Sequence, residues 1–286
     1  MGEVYLNGRY LPLEEARVPV LDRGFLFGDG VYEVIPVFGG RPFRLAQHME
    51  RLDNSLQSIR IKNPLQGYEW EKIFTRLTSA TPNVDQVIYV QVTRGVDPLR
   101  SHLFPKGVEP TVLVMAWRAK PRNPDISRNG IAAVVLEDYR WQRCDIKATA
   151  LLGNVLLRQE AEDAGAEEAI LIRSGLVTEG SSTNPFAVQG GEILTPPRSN
   201  HLLRGVTRDL VLELARGAGM PCAEHHITRD ELETADEIWV CSSSREVQPV
   251  TRLDGKPVGE GIPGPLFRRV DALFQDYKAH LRSVDA

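Results

Sequence analysis

Arg143-Cys144-Asp145-Ile146-Lys147-Ala148 sits between two stretches of different periodicity. Upstream, residues 131–136 form a continuous apolar run, the pattern of a strand buried on both faces. Downstream, residues 151–164 read as a helix, with Gly165 as its C-terminal stop. A lysine at such a junction is a candidate for carbonyl chemistry. A Schiff base needs a neutral amine, and burial lowers a lysine's pKa. Taken alone, Lys147 reads more readily as a solvated surface lysine.

Outward from this junction the chain mixes strands and helices without regular alternation, which argues against a doubly wound parallel sheet. Residues 4–6, Asn7-Gly8 and residues 9–11 predict a short hairpin. Residues 31–38 are rich in β-branched and aromatic side chains, and Pro36 marks them as an edge strand or a bulge. Leu45, Met49, Leu52, Leu56 and Ile59 line one helical face. Residues 87–92 and 111–117 read as strands, and the proline- and charge-rich stretch 120–130 as an interdomain linker. In the second half, 169–172, 186–188, 193–194 and 237–241 read as strands, with 206–214 and 265–280 as helices. Thr228-Arg229-Asp230-Glu231 has the form of a capping box. The expected organisation is α+β: a small N-terminal domain over 1–119, the linker 120–130, and a larger C-terminal domain over 131–286.

Composition excludes several classes. The 286 residues carry a formal charge of −4 with no basic stripe, which argues against a nucleic-acid partner. No run of about 18 apolar residues suggests a membrane span. The N-terminus lacks the pattern of a signal peptide, and Cys144, Cys222 and Cys241 are widely spaced, so reduced thiols and a cytoplasmic location are expected. Cys222 with His225-His226 has no second ligand pair at zinc spacing, and no metal site is expected.

Other residues could carry chemistry. Glu179, in Thr178-Glu179-Gly180-Ser181-Ser182, is an acid that could face a pyridine nitrogen, or part of a small polar turn. Arg204-Gly205-Val206-Thr207 opens a helix whose free N–H groups suit a phosphate, although such residues also serve as plain caps. Ser242-Ser243-Ser244 follows a strand and could add hydroxyl donors. Arg51 lies about 100° off the apolar stripe of its helix, where it could fork onto a phosphate or be solvated. Arg100-Ser101-His102 could grip a substrate carboxylate or be a polar loop.

Together these pieces resemble the class IV, fold-type IV aminotransferases that use pyridoxal 5′-phosphate (PLP). The resemblance runs in order through Asp22-Arg23-Gly24-Phe25, Gly28-Asp29-Gly30, Tyr32-Glu33-Val34, His48-Met49-Glu50-Arg51-Leu52 and Arg94-Gly95. It continues through Arg100-Ser101-His102, Cys144-Asp145-Ile146-Lys147, Thr178-Glu179-Gly180-Ser181-Ser182, Gly205-Val206-Thr207-Arg208 and Ser243-Ser244-Arg245-Glu246. Within the class it is most similar to the D-amino acid aminotransferases. The resemblance implies a C-terminal pseudo-barrel of strands flanked by helices. Lys147 would carry the cofactor as a Schiff base and shuttle a proton, and Glu179 would pair with the pyridine nitrogen. Arg51, Val206, Thr207, Ser242 and Ser243 would hold the phosphate, with Ser182 near the ring. Tyr32, Arg100 and His102 would bind the substrate carboxylate, the last two across a homodimer. Substrates would be amino acids and 2-oxo acids exchanged by ping-pong transfer. The same scaffold could serve a branched-chain L-aminotransferase, an (R)-amine transaminase, an aminodeoxychorismate lyase or an inactive PLP-binding protein.

Overall fold

The computed structural model describes residues 2–81 and 84–283. The chain divides into two units. The first comprises the chain up to Lys120, together with Ile146–Leu151 and the end of the chain from Leu281. The second comprises Pro121–Asp145 and Leu152–His280.

In the first unit, β1 (Glu3–Leu6) and β2 (Arg9–Pro12) form the hairpin expected at Asn7-Gly8. Both turn residues take positive φ, 47° and 83°, as the turn requires. α1 (Arg23–Phe27) is capped by Asp22, whose carboxylate accepts from the Gly24 N–H at 2.8 Å. Then follow β3 (Gly30–Phe38), β4 (Arg41–Pro42), α2 (Leu45–Ser58), α3 (Gly67–Thr78), β5 (Gln86–Thr93) and β6 (Thr111–Arg118). The sheet runs β2-β1-β6-β5-β3-β4. Leu52 and Leu56 of α2 and Trp70, Ile73 and Phe74 of α3 pack in one core with Ile35, Val37, Ile88 and Val90 of the strands. α3 lies outside the elements expected from sequence, although its signals are present. Trp70, Phe74 and Leu77 share a face, and Gln66 and Glu69 form a capping box.

Pro36 lies where the edge reading places it. β3 pairs along its length with β5, and on its other side β4 meets only Val37 and Phe38. The Tyr32 N–H and the Pro36 carbonyl both point to that second edge, where Pro36 accepts from the Phe43 N–H at 2.7 Å. Backbone polarity alternates along a strand, so the N–H that proline lacks would have faced away from β5, and the central ladder loses nothing.

The second unit opens within the segment expected as a linker. There the Asn123 side chain caps α4 (Pro124–Asn129), with Pro124 in the first turn. Next come β7 (Ile131–Glu137), α5 (Leu152–Asp163), β8 (Glu168–Arg173), β9 (Leu176–Gly180), β10 (Asn184–Gln189) and β11 (Glu192–Thr195). α6 (Val206–Gly217), β12 (Cys222–Glu224), α7 (Arg229–Glu233), β13 (Glu237–Ser242), β14 (Glu246–Leu253), β15 (Lys256–Pro257) and α8 (Pro265–Ser283) follow. The strands form one sheet, β12-β11-β10-β13-β14-β7-β8-β9, with β15 beside β14. The sheet curls: the far edge of β9 bonds Ile227 and Thr228, just beyond the opposite end strand β12.

Alternate residues explain why the central strands are apolar on both faces. Ile238 and Val240 of β13 enter the interior cluster with Ile170, Ile172 and Val250. Trp239 points the other way and meets Phe186 and, at 6.3 Å between centroids, Phe267 of α8. Likewise Ala169 and Leu171 of β8 pack against Leu157 and Ala161 of α5. β9 corrects the reading of Glu179 as part of a turn, since the residue stands within a strand.

The buried carboxylate of Glu237 joins β13 to α8. It accepts from the Leu266 N–H (2.9 Å), the Phe267 N–H (2.8 Å) and Trp239 Nε1 (2.9 Å). The Leu266 and Phe267 N–H groups are ones that a helix start leaves without an internal partner. Glu237→Leu should therefore lower the unfolding free energy by about 3 kcal/mol, because three buried donors lose their acceptor. Urea unfolding checks this, and a loss under about 1 kcal/mol would show that water takes up those donors.

Candidate active site

In the first unit, Lys147 is held by its backbone. The Tyr32 N–H donates to the Lys147 carbonyl and the Thr149 N–H to the Gly30 carbonyl, each at 2.9 Å. Val31 and Ala148 form an antiparallel bridge. The Lys147 segment thus acts as a short extra strand on the open edge of β3. Its N–H donates to Ser55 Oγ on α2 at 3.2 Å, and Ile146 is buried in the same core. The half-buried Lys147 side chain sets Nζ 4.3 Å from the centroid of the Tyr32 ring. Tyr32 in turn stacks on Tyr89 at 5.8 Å.

Arg51 is positioned by groups on neighbouring elements. Glu33, fully buried on β3, accepts from Arg51 Nε at 2.7 Å and Nη2 at 2.8 Å, and lies 2.8 Å from His48 Nδ1. Burial alone would raise the Glu33 carboxyl, but Arg51 and His48 hold it far below the usual carboxylate range. Burial pushes the His48 imidazole down by more than Glu33 raises it.

Arg100 and His102 are exposed and gather around Phe27 rather than Tyr32. The Arg100 guanidinium lies 5.2 Å and the His102 ring 5.4 Å from the Phe27 centroid. Arg23, buried at the start of α1, anchors their loop by donating to the Ser101 carbonyl at 2.6 Å.

In the second unit, the Glu179 carboxylate accepts from Arg140 Nη1 at Oε1 and from the Leu203 N–H at Oε2, the latter at 2.9 Å. Burial pushes its carboxyl up, and Arg140 and the Leu203 N–H pull against that shift. Two residues beyond Leu203 is Gly205, the N-cap of α6, which offers no side chain to the first-turn N–H groups. A Cβ on Gly205 would lie 2.0 Å from Asn184 Oδ1, so a larger residue there would have to displace the Asn184 side chain. Val206 and Thr207 are buried, and the Thr207 hydroxyl has no partner among the described residues. Asn184 pairs with Cys241 across β10 and β13, which brings Ser242 and Ser243 to the same end of the sheet as Gly205. Both serines are half-buried, and Ser242 Oγ accepts from the Arg245 N–H at 3.3 Å. Ser182 is exposed on the turn after β9, with its hydroxyl 3.5 Å from the buried Glu168.

The supporting groups were not singled out from sequence. Glu33 and His48 sit inside quoted motifs, Arg51 follows His48 at a spacing of i, i+3 on one helix, and Asp138 and Arg140 are two residues apart. None of these spacings says which partner an acid will meet in the fold.

The family model for class IV aminotransferases matches residues 30–253. The chain belongs to this family, and it is a PLP-dependent aminotransferase. It is 40% identical over 274 residues to the D-alanine aminotransferase of Bacillus licheniformis, covering 96% of both chains. It is 40% identical over 277 residues to that of Staphylococcus aureus (strain MSSA476), covering 97% of this chain and 98% of the relative. Among solved structures it resembles the T.th. branched-chain amino acid aminotransferase with pyridoxamine 5′-phosphate. There the TM-score is 0.91 at 28% identity, over 99% of this chain and 95% of that one.

The Glu33–His48 pair makes stability depend on pH. His48 takes up a proton later in the folded chain than in the unfolded one, so stability falls as pH drops through about 6.5. Glu33 adds a second loss in the same direction below about pH 4.5. His48→Asn keeps a donor for Glu33 without titrating. Between about pH 7.5 and 5.5 the urea midpoint should fall less for this variant than for the wild type.

Proposed function

We propose that this enzyme transfers the amino group of D-alanine and similar D-amino acids to a 2-oxo acid in two half-reactions on one cofactor. The observation that carries the transaminase reading is the placement of Lys147, pinned by backbone hydrogen bonds to the edge of β3 with its amine over Tyr32. The D-amino acid preference is supported by 40% identity to the D-alanine aminotransferases across nearly the whole chain, against 28% to the branched-chain enzyme.

The residues present suit PLP. Lys147 supplies the amine and Glu179 a buried carboxylate for the pyridine nitrogen. The uncapped start of α6 and the unpartnered Thr207 hydroxyl are what a phosphate dianion needs. Val206 and Thr207 would hold it there with Ser242, Ser243 and Arg51, while Ser182 would lie near the ring. Bound there, PLP supplies an electron sink for the charge left on the substrate α-carbon. Lys147 removes the α-proton and later returns one, which makes it both general base and general acid. Tyr32, Arg100 and His102 grip the substrate carboxylate. Arg100 and His102 of one protomer serve the site of its partner in a homodimer, which accords with their exposure and with their contacts at Phe27.

Two measurements test this. Lys147→Ala should cut turnover by at least about a thousandfold, and near-normal turnover would remove Lys147 from the chemistry. The cofactor-loaded enzyme should change its visible absorbance with D-alanine and not with L-leucine. The opposite pattern would move it to the branched-chain group.

A further inference from the structure

Asp138 and Arg140 have no proposed contact with substrate or cofactor, yet they build the surroundings of Glu179. Arg140 forks onto Asp138 through Nε (2.8 Å) and Nη2 (2.9 Å), and its own N–H reaches the same carboxylate at 3.2 Å. Nη1 is left to meet Glu179 Oε1. Asp138 is itself fixed by Thr178 Oγ1 at 2.9 Å and by Arg173 Nη2 at 3.1 Å, and Arg173 also donates to the Arg140 carbonyl at 2.8 Å. The planar guanidinium is therefore aimed before anything binds. Cys144, also near Arg140, has its thiol pushed up to about 11 by burial and adds no charge at neutral pH. The cluster holds two guanidinium groups, two carboxylates and the Leu203 N–H that completes Glu179.

We infer that Arg140, aimed by Asp138, is a positioning residue that decides where the proton shared by Glu179 and the cofactor's pyridine nitrogen resides. This rests on the proposed placement of Glu179 at that nitrogen. A carboxylate out of water is a strong base, because burial penalises its charge. Without a cation beside it, Glu179 would take the ring proton and leave a carboxylic acid facing a neutral nitrogen. Arg140 stabilises the anion, so the proton stays on nitrogen and faces a carboxylate. Asp138 offsets the added charge, so the ring does not meet an excess cation. One proton shifts between two atoms, and no other bond changes.

The test uses the full-length holoenzyme with ¹⁵N at the pyridine nitrogen and ¹³C in its glutamates. Nitrogen NMR reads the ring proton, and infrared spectroscopy reads any carboxylic acid. In the wild type the nitrogen should be protonated across the neutral range. Arg140→Met should shift it to the unprotonated position and produce a new carboxylic-acid band. Arg140→Lys, which keeps the charge but not the fork, should restore the protonated signal, whereas a merely structural arginine would be missed equally in both variants. If Arg140→Met does not accumulate folded, Arg140→Gln reads the same loss of charge. No change in either signal overturns the role of Arg140. A new acid band with an unchanged ring nitrogen overturns instead the placement of Glu179 at the ring.

Discussion

A carboxylate taken out of water must be met by donors or it gives up its charge, and this chain buries several. Each one organises the structure around it. Glu237 fastens the first turn of α8 to β13. Glu168 collects the Ser181 N–H and hydroxyl at the turn after β9. Glu33 fixes Arg51 and His48 on α2, and Glu179 joins Arg140 to the segment that leads into α6. In each case one acid ties together groups more than ten residues apart, which local propensity could not do.

Lys147 is placed by a different constraint. β3 has one edge against β5, and its second edge is open except where β4 meets its end. That open edge takes the Lys147 segment, and the hydrogen bonds are backbone to backbone. The lysine is thereby placed by main-chain geometry, leaving its side chain free for chemistry. Pro36 fits the same logic, because its missing N–H falls on the second edge and leaves the β3–β5 ladder intact.

Much of the fold was legible. The Asn7-Gly8 hairpin, the stripe of α2 and the apolar run of β7 follow from periods of 2.0 and 3.6 and from turn chemistry. α3 shows the limit, since its stripe is short and its cap is formed by Gln66 rather than by the usual small residues. β9 shows another, because Thr178-Glu179-Gly180 looks like a turn until β8 pairs with it. The stretch at 120–130 carries too few apolar residues to announce α4, which Asn123 and Pro124 start nonetheless.

The sequence by itself determined the family, through residue types recurring in a fixed order, and it supplied the candidate lysine, acid and phosphate-binding residues. Those are properties of side chains and can be read without coordinates. Only the tertiary structure decided the partners. It sets Lys147 on the edge of β3, gives Glu33 to Arg51, gives Glu179 to Arg140 and Leu203, and leaves the Thr207 hydroxyl unpartnered at an uncapped helix start among the described residues. The physical reason is that a buried charge is settled by whichever donors folding brings within about 3 Å, and those donors come from elements whose separation along the chain carries no trace of the contact.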